Sequence, residues 1–184
     1  MLAVLKLHPQ HLQAIRTHAE STYPEECCGL LLGKLAEDGK TVVEVMPTEN
    51  RWNAEAVEVF QEIEGSAKLG SDKRDRYAIA PKDMLKVQKL GRDRQLDIIG
   101  IYHSHPDHSA IPSEFDRACA WSVYSYIIVS VQQGKAGDLR NWSLDDAHQF
   151  QPEEMIIVER EFGLSRQGSI VDQGGLLGLV AVGN

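Results

Sequence analysis

Apolar residues recur along the chain with two spacings, which predict strands alternating with helices. A short apolar strand spans Leu2–Leu7, and a helix follows that opens with Pro9 and must end before Pro24. The apolar residues of this helix are Leu12, Ile15 and Ala19. Residues three and four positions apart share one side of a helix, so this side is predicted to face the core.

The rest of the chain continues the same alternation. Strands are predicted at Leu30–Leu32, Thr41–Met46, Tyr77–Ala80, Ile98–Tyr102, Tyr124–Val131, Asp138–Leu144 and Met155–Val158. We expect Leu30–Leu32 and Thr41–Met46 to form a hairpin, Ile98–Tyr102 to be central and Asp138–Leu144 to lie at an edge. Helices are predicted from Pro81, with Met84, Val87 and Leu90 inward, and over Ser113–Trp121, with Phe115, Ala118 and Cys119 inward. Such mixed connections indicate an α/β or α+β sheet domain.

The length of 184 residues fits one domain, for which we take residues 1–160. Within it, residues 53–75 mix charges with Gly and Ser and are expected to be a partly ordered insertion. Residues 161–184 form a glycine-rich tail, expected to be mobile or to contact a second copy of the chain in a homodimer. The segment Gln173–Leu176 also resembles the Gly-Gly end of a small carrier protein.

Composition narrows the class of protein. The net charge of −8 argues against nucleic acid as the main partner, because phosphate binding needs concentrated Lys and Arg. The sequence has no apolar run of the roughly 20 residues that cross a membrane, and its start does not have the pattern of a signal peptide. Three cysteines, which cannot all pair, favour a reduced, cytoplasmic setting.

The candidate chemistry follows the predicted central strand, which ends in His103-Ser104-His105. Side chains two positions apart on a strand point to the same side, so both imidazoles can reach one metal ion. Asp116, one turn into the next helix, supplies a carboxylate. Two histidines and one carboxylate leave a tetrahedral position for water, which is the arrangement of a catalytic zinc site. Zinc in such a site acidifies water and polarises a carbonyl.

Hydrolysis also requires a base, and Glu26, just before the Leu30–Leu32 strand, is the best candidate. Ser113 is a candidate donor to the oxyanion of a tetrahedral intermediate. Each residue has a simpler interpretation: Ser113 and Asp116 suit a helix N-terminus, Glu26 a solvated loop and the histidines a polar strand end. The cysteines are interpreted as small buried apolar residues, not as ligands.

Two motifs resemble those of the JAMM/MPN+ (Mov34/MPN/PAD-1) zinc metalloprotease family. One is His-x-His-Pro with Ser113 and Asp116 at the family spacing, and the other is Pro24-Glu25-Glu26-Cys27-Cys28-Gly29. The resemblance spans residues 1–160 and implies a three-layer α-β-α fold with a mixed, curved sheet, similar to cytidine deaminases. It also implies one zinc ion on His103, His105 and Asp116, and Glu26 in the role of the general base.

The family resemblance further implies cleavage of the amide bond after the C-terminal Gly of ubiquitin or a ubiquitin-like protein. The chain's compact form resembles the prokaryotic branch, which includes enzymes that process sulfur-carrier proteins. Two alternatives are a RadC-like protein associated with nucleic acid and a non-catalytic scaffold that holds zinc only for structure. The acidic charge and the Glu26 segment argue against the RadC-like alternative, and the complete set of ligands argues against the scaffold.

Overall fold

The computed structural model describes residues 4–58 and 72–159. The strands are β1 Val4–Leu7, β2 Cys28–Ala36, β3 Gly39–Thr48, β4 Asp97–Pro106, β5 Ser125–Gln132, β6 Lys135–Leu144, β7 Phe150–Pro152 and β8 Glu154–Ile157. The helices are α1 Pro9–Thr22, α2 Pro81–Asp93 and α3 Glu114–Cys119, and residues 54–58 are also helical. No helix among the described residues is both long enough and apolar enough to cross a membrane.

All eight strands belong to one mixed sheet in the order β7-β6-β5-β4-β2-β3-β1-β8. Strand β4 is central, antiparallel to β2 and parallel to β5. The two edge strands β7 and β8 are joined by the single residue Glu153. Opposite edges that are one residue apart along the chain must lie close together in space, so the sheet is strongly curved and nearly closed.

Helices cover both faces of the sheet. Ile15 and Ala19 of α1 pack with Leu31 and residues of β1, β4 and β5 on one face. Val87 of α2 packs with Leu30 and Leu32 on the other. Successive residues of β2 therefore point into opposite cores, as a strand requires. The predicted three-layer arrangement and the mixed, curved sheet are confirmed.

Several predicted elements have other bounds or neighbours. Residues Tyr77–Ala80 do not form a strand, because Ala78 bonds to the backbone of Arg51 and the side chain of Asn50 instead of to a strand ladder. The predicted edge strand, now β6, lies between β5 and β7. The strand at this edge of the sheet is β7, which was not predicted because three residues are too few to show a period.

Two segments singled out in the sequence lie wholly or partly outside the described residues. Of the predicted insertion 53–75, residues 59–71 are not described, and neither is the predicted tail from 161 onward. The predicted helix at Ser113–Trp121 is shorter, since it ends at Cys119. Its Phe115 is buried, as expected, whereas Ala118 and Cys119 are half-buried.

Position 29 in β2 must be glycine because the side chain of Tyr102, its partner in β4, packs directly over it. A Cβ atom at this position would overlap the ring of the fully buried Tyr102, at 2.5 Å from Oη. We expect Gly29→Ala to lower the free energy of unfolding by about 3 kcal/mol, the upper range for overpacking. The matched control is Gly137→Ala, whose Cβ would meet only Ser130 O at 3.8 Å. Urea denaturation showing equal stability for both variants would contradict this explanation.

Candidate metal centre

Strand β4 delivers both histidines to one side of the sheet. His103 and His105 are buried and alternate with Tyr102 and Ser104. The Tyr102 hydroxyl bonds to His18 Nδ1 of α1 at 2.8 Å, so Tyr102 faces the α1 layer. The imidazoles consequently point to the opposite face, where α3 lies.

Asp116 reaches the imidazoles because a capping box fixes the start of α3. Ser113 is the N-cap, and its Oγ accepts a hydrogen bond from Asp116 N at 3.1 Å. Ser113 N donates to Asp116 Oδ2 at 2.7 Å. This reciprocal pair satisfies two free N–H groups of the helix end. It also leaves the carboxylate directed at the end of β4.

The distances among the three side chains fit a metal ion. His103 Nε2 lies 3.0 Å from His105 Nε2 and 3.3 Å from Asp116 Oδ1, and His105 Nε2 lies 3.6 Å from Asp116 Oδ2. Tetrahedral zinc with bonds of about 2.0–2.2 Å places neighbouring ligand atoms roughly 3.3–3.6 Å apart. The two His–Asp distances lie in this range, and the distance between the two histidines is shorter. Among the described residues, this is the group of metal-binding type whose donor atoms lie within 4.8 Å of one another.

Neighbouring groups orient both imidazoles. His105 Nδ1 lies 2.8 Å from the Ser109 carbonyl oxygen, which can only accept, so Nδ1 carries a proton and Nε2, which faces His103, is the nitrogen that could bind a metal. The ring of Tyr77 stacks on His103 at 4.6 Å between centroids and 25° between planes. These contacts hold two nitrogen ligands ready before any ion arrives.

Burial and mutual charge set the protonation of the cluster. Burial lowers the pKa of His103, while Asp116 opposes this shift. Burial alone would raise the pKa of Asp116, but the two facing imidazoles hold it well below its usual range. Deprotonated ligands are the forms that bind a metal, so the directions of the pKa shifts of His103 and Asp116 both favour binding.

Glu26 arrives beside these residues through the pairing of β2 with β4. Cys28 is opposite His103, and Ser104 N donates to Cys27 O at 3.2 Å, which places Glu26 level with His105. Glu26 is buried, with 5% of its surface exposed. Burial first, and the Asp116 carboxylate second, raise the pKa of Glu26 well above its ordinary value. A carboxyl group with a raised pKa is suited to exchanging protons near neutral pH.

Two cavities meet at Asp116. The first, of about 430 Å³, has mainly apolar walls that include Tyr77, Ile101, Phe115 and Trp121. The second, of about 410 Å³, is called the polar cavity because most residues that line it are polar or charged; they are Glu26, Arg74, Asp75, Arg76, His105, Pro106, His108, Ser109, Ile111, Ser113 and Asp116. The candidate metal-binding cluster therefore borders both the apolar cavity and the polar cavity that contains Glu26, through Asp116.

Ser113 lies in the polar cavity, but in this structure its hydroxyl already has a partner. Ser113 Oγ donates to Asp116 Oδ2 at 2.7 Å. A hydroxyl group has one proton, so donating to an oxyanion requires that the hydroxyl rotate away from Asp116. Its role as an oxyanion donor stays a prediction.

Several contacts of the site were not predicted from the sequence. They are the Tyr77 stack on His103, the Ser109 carbonyl behind His105, the place of Arg76 in the polar cavity and the hydrogen bonds of Asn50 to Glu26 and Arg76. Asn50 and Tyr77 are far along the chain from the residues they contact, so no local pattern reveals the pairing. The only available signal was that an Asn and a Tyr flank a segment with no clear periodicity.

Relatives of known identity match most of the chain. It is 27% identical over 155 residues to the tail tip assembly protein K of Escherichia phage N15, which covers 83% of this chain and 48% of that protein. The chain thus spans about half the length of that relative. It is 28% identical over 120 residues to the desampylase of Haloferax volcanii, covering 65% of this chain and 72% of the enzyme. With the desampylase of Pyrococcus furiosus the identity is 25%, over 82% and 89% of the two chains.

A solved structure shares the fold of this chain, and a family description matches most of its length. The solution structure of protein DSY2949 from Desulfitobacterium hafniense superposes with a TM-score of 0.66 at 24% identity, over 85% of this chain and 94% of that one, which shows a shared fold. The family described as prokaryotic homologs of the JAB domain matches residues 8–145. This chain belongs to the family of prokaryotic homologs of the JAB domain.

Proposed function

We propose that the chain is a zinc-dependent isopeptidase that hydrolyses the amide bond after the C-terminal Gly of a ubiquitin-like or sulfur-carrier protein. The observation that carries this proposal is the buried cluster of His103, His105 and Asp116 beside a cavity shared with buried Glu26. A cluster of this kind with a nearby carboxyl group is the minimum for metal-assisted hydrolysis. Two relatives with the name desampylase support a protein modifier as the substrate.

Zinc is the proposed ion because of the donor set. Two imidazole nitrogens and one carboxylate oxygen suit zinc better than magnesium or calcium, which prefer six or more oxygen ligands. The three side chains leave one side of the cluster to substrate. Zinc held by the three side chains would act as a Lewis acid on the substrate carbonyl and would lower the pKa of a bound water.

Glu26 carries the proton transfers in the proposed mechanism. Its carboxylate takes a proton from the attacking water and later delivers it to the departing amine. Because the same group serves both steps, the amine must leave on the side of Glu26, which is the polar cavity. Ser113, if its hydroxyl turns from Asp116, donates to the oxyanion.

The apolar cavity then receives the extended tail of the carrier on the acyl side. Tyr77 and Ile79 border this cavity, next to Arg76 and Ala78, whose backbones bond to Asn50 and Arg51. An extended peptide alongside them would add main-chain hydrogen bonds, as in other strand-addition complexes. Apolar side chains before the terminal glycines would fill the cavity.

Trp121 is the most exposed large apolar residue that lines the apolar cavity, with 69% of its surface accessible. We expect Trp121→Ala to raise KM for a carrier substrate about tenfold, which corresponds to ~1.4 kcal/mol of lost contact, and to change kcat less than about twofold. Val123→Ala is the control, since Val123 is 62% exposed but does not line this cavity. Equal kinetics for the two variants in steady-state assays would remove the cavity from the binding path.

A second candidate is a role in the assembly of a phage tail. The relative from phage N15 is matched over 155 residues, a longer stretch than the match to the Haloferax enzyme. The same metal centre would then act on a different polypeptide. A chain that holds zinc and cleaves a short peptide, yet leaves every carrier conjugate intact, would favour this candidate.

Neither a nucleic-acid-associated protein nor a scaffold is favoured by the site. Phosphate binding would require dense positive charge, whereas the chain has a net charge of −8. A scaffold has no use for a buried carboxyl group with a raised pKa beside the metal ligands. Salt-dependent binding to DNA would support the first alternative, and we expect none.

The direct test of function is cleavage of a defined conjugate. The zinc-loaded chain is incubated with ubiquitin-like and sulfur-carrier proteins that carry a C-terminal amide adduct. The masses of the products are then measured by mass spectrometry. We expect release of the adduct at the terminal glycine, loss of activity with a chelator and recovery on addition of zinc. Cleavage that survives complete removal of metal would contradict the proposal.

A further inference from the structure

The side chain of Asn50 lies behind Glu26 and is saturated with hydrogen bonds. It follows β3 and is 6% exposed. Nδ2 donates to Glu26 O at 3.0 Å and to Arg76 O at 2.9 Å. Oδ1 accepts from Trp52 N at 2.9 Å and from Ala78 N at 3.3 Å. An amide has two N–H donors and one oxygen with two lone pairs, so all four positions are used.

The segments that Asn50 joins all belong to the metal centre. Residues 76–78 carry Tyr77, which stacks on His103. Trp52 packs against the ring of Phe115 at 5.6 Å, and Phe115 directly precedes Asp116 in α3. The Asn50 side chain therefore joins three parts of the site. They are the proposed base Glu26, the segment whose Tyr77 ring covers His103, and Trp52, which packs against the neighbour of Asp116 in α3.

We propose that Asn50 is a positioning residue that fixes Glu26 for proton transfer. This inference rests on the proposed function, because it assumes that Glu26 is the base. The backbone at Glu26 precedes β2, so it lacks the ladder that holds the strand. Its N–H bonds to Lys73 O at 2.7 Å, and its carbonyl bonds to Asn50. Without the Asn50 amide, the backbone carbonyl of Glu26 loses this hydrogen bond.

The expected consequence is kinetic. Proton transfer requires hydrogen-bond reach between the carboxylate and the water, and a misplacement of about 1 Å can reduce the rate about 100-fold. Asn50 bonds to none of the three ligands, although its Oδ1 accepts from Ala78 N, and Ala78 lines the apolar cavity. Its loss should therefore reduce kcat by a larger factor than it raises KM, and it should leave the metal content largely unchanged.

The sharpest variant is Asn50→Asp, which preserves volume and the acceptor oxygen but turns a second oxygen toward the Glu26 and Arg76 carbonyls. We expect kcat on a short peptide to fall about 30-fold or more, KM to change less than about twofold and zinc content to match the wild type. Asn50→Ala serves as the uncharged second variant, should Asn50→Asp fail to fold. Asn141→Ala, another buried asparagine but bonded to Glu153, is its control and should retain kcat.

A double-mutant cycle separates positioning from general destabilisation. In the Glu26→Gln background there is no base left to position, so the Asn50 substitution should reduce the residual single-turnover rate less than about twofold. A purely structural role predicts the same fold-loss in both backgrounds, and that result would overturn the proposal. A folded Asn50 variant with wild-type kcat would also overturn it. If the wild type cleaves no substrate, the proposed function itself fails, which is a distinct result.

Discussion

Replacing Glu26 by Gln should reduce kcat by about 10²–10⁴-fold while the chain keeps its zinc. This is the range that general acid–base catalysis contributes. The amide has the shape of the carboxylate but cannot take a proton from water. Zinc should stay because the His103, His105 and Asp116 donors form the cluster without Glu26. Steady-state kinetics and metal analysis of the same preparation check both statements.

Glu25 provides the matched control for this substitution. It is adjacent to Glu26 but exposed, and it does not line the polar cavity. Glu25→Gln should therefore leave kcat and KM as in the wild type. Normal turnover by Glu26→Gln, or an equal loss in both variants, would contradict the assignment of the base.

Replacing His103 by Ala should abolish both zinc binding and cleavage. Substitution of residues behind a ligand already reduces metal affinity about 10–100-fold, so removal of a ligand should exceed about 100-fold. In the wild type, zinc at 100 times its Kd should stabilise the fold by about 2.7 kcal/mol, which raises Tm by roughly 5–10 °C for a chain of this size. The His103→Ala variant should show no such rise in a thermal melt.

His108 is the control for the loss of an imidazole. It lines the same polar cavity, but its Nδ1 lies 2.8 Å from Pro106 O, and it is not part of the ligand cluster. His108→Ala should bind one zinc ion and show the rise in Tm. A zinc-induced rise in the His103→Ala variant, or its loss in His108→Ala, would place the ion elsewhere.

The core of the fold was predictable from local patterns because each element shows its own period. The face of α1 with Ile15 and Ala19 and the face of α2 with Val87 are buried as the spacing predicts. The prediction failed where a segment shows no period of hydrophobic residues. Strand β7 was missed because it is too short, and the strand predicted at Tyr77–Ala80 is wrong because Ala78 bonds to Asn50 and Arg51, which no property of its own sequence reveals.

The site divides in the same way between local and distant contacts. His103 and His105 share a strand and Ser113 and Asp116 share a helix start, so spacing alone predicted that each pair would act together. The meeting of the two pairs, and the arrival of Glu26, depend on the register of β2 with β4 and on the path of the loop before α3. The sequence pattern made Asp116 and Glu26 candidates for this site, and the family resemblance supported their meeting with the two histidines. The Asn50 contacts lay beyond both sources, because they join segments more than 20 residues apart.

The most direct measurement is a crystal structure of the zinc-loaded chain with anomalous diffraction recorded at the zinc edge. We predict one anomalous peak within about 2.0–2.2 Å of His103 Nε2, His105 Nε2 and an Asp116 carboxylate oxygen, with a water on the open side in hydrogen-bond contact with Glu26. An anomalous peak at other side chains would contradict the proposed metal centre. A Glu26 carboxylate that cannot reach that water would contradict the proposed hydrolase.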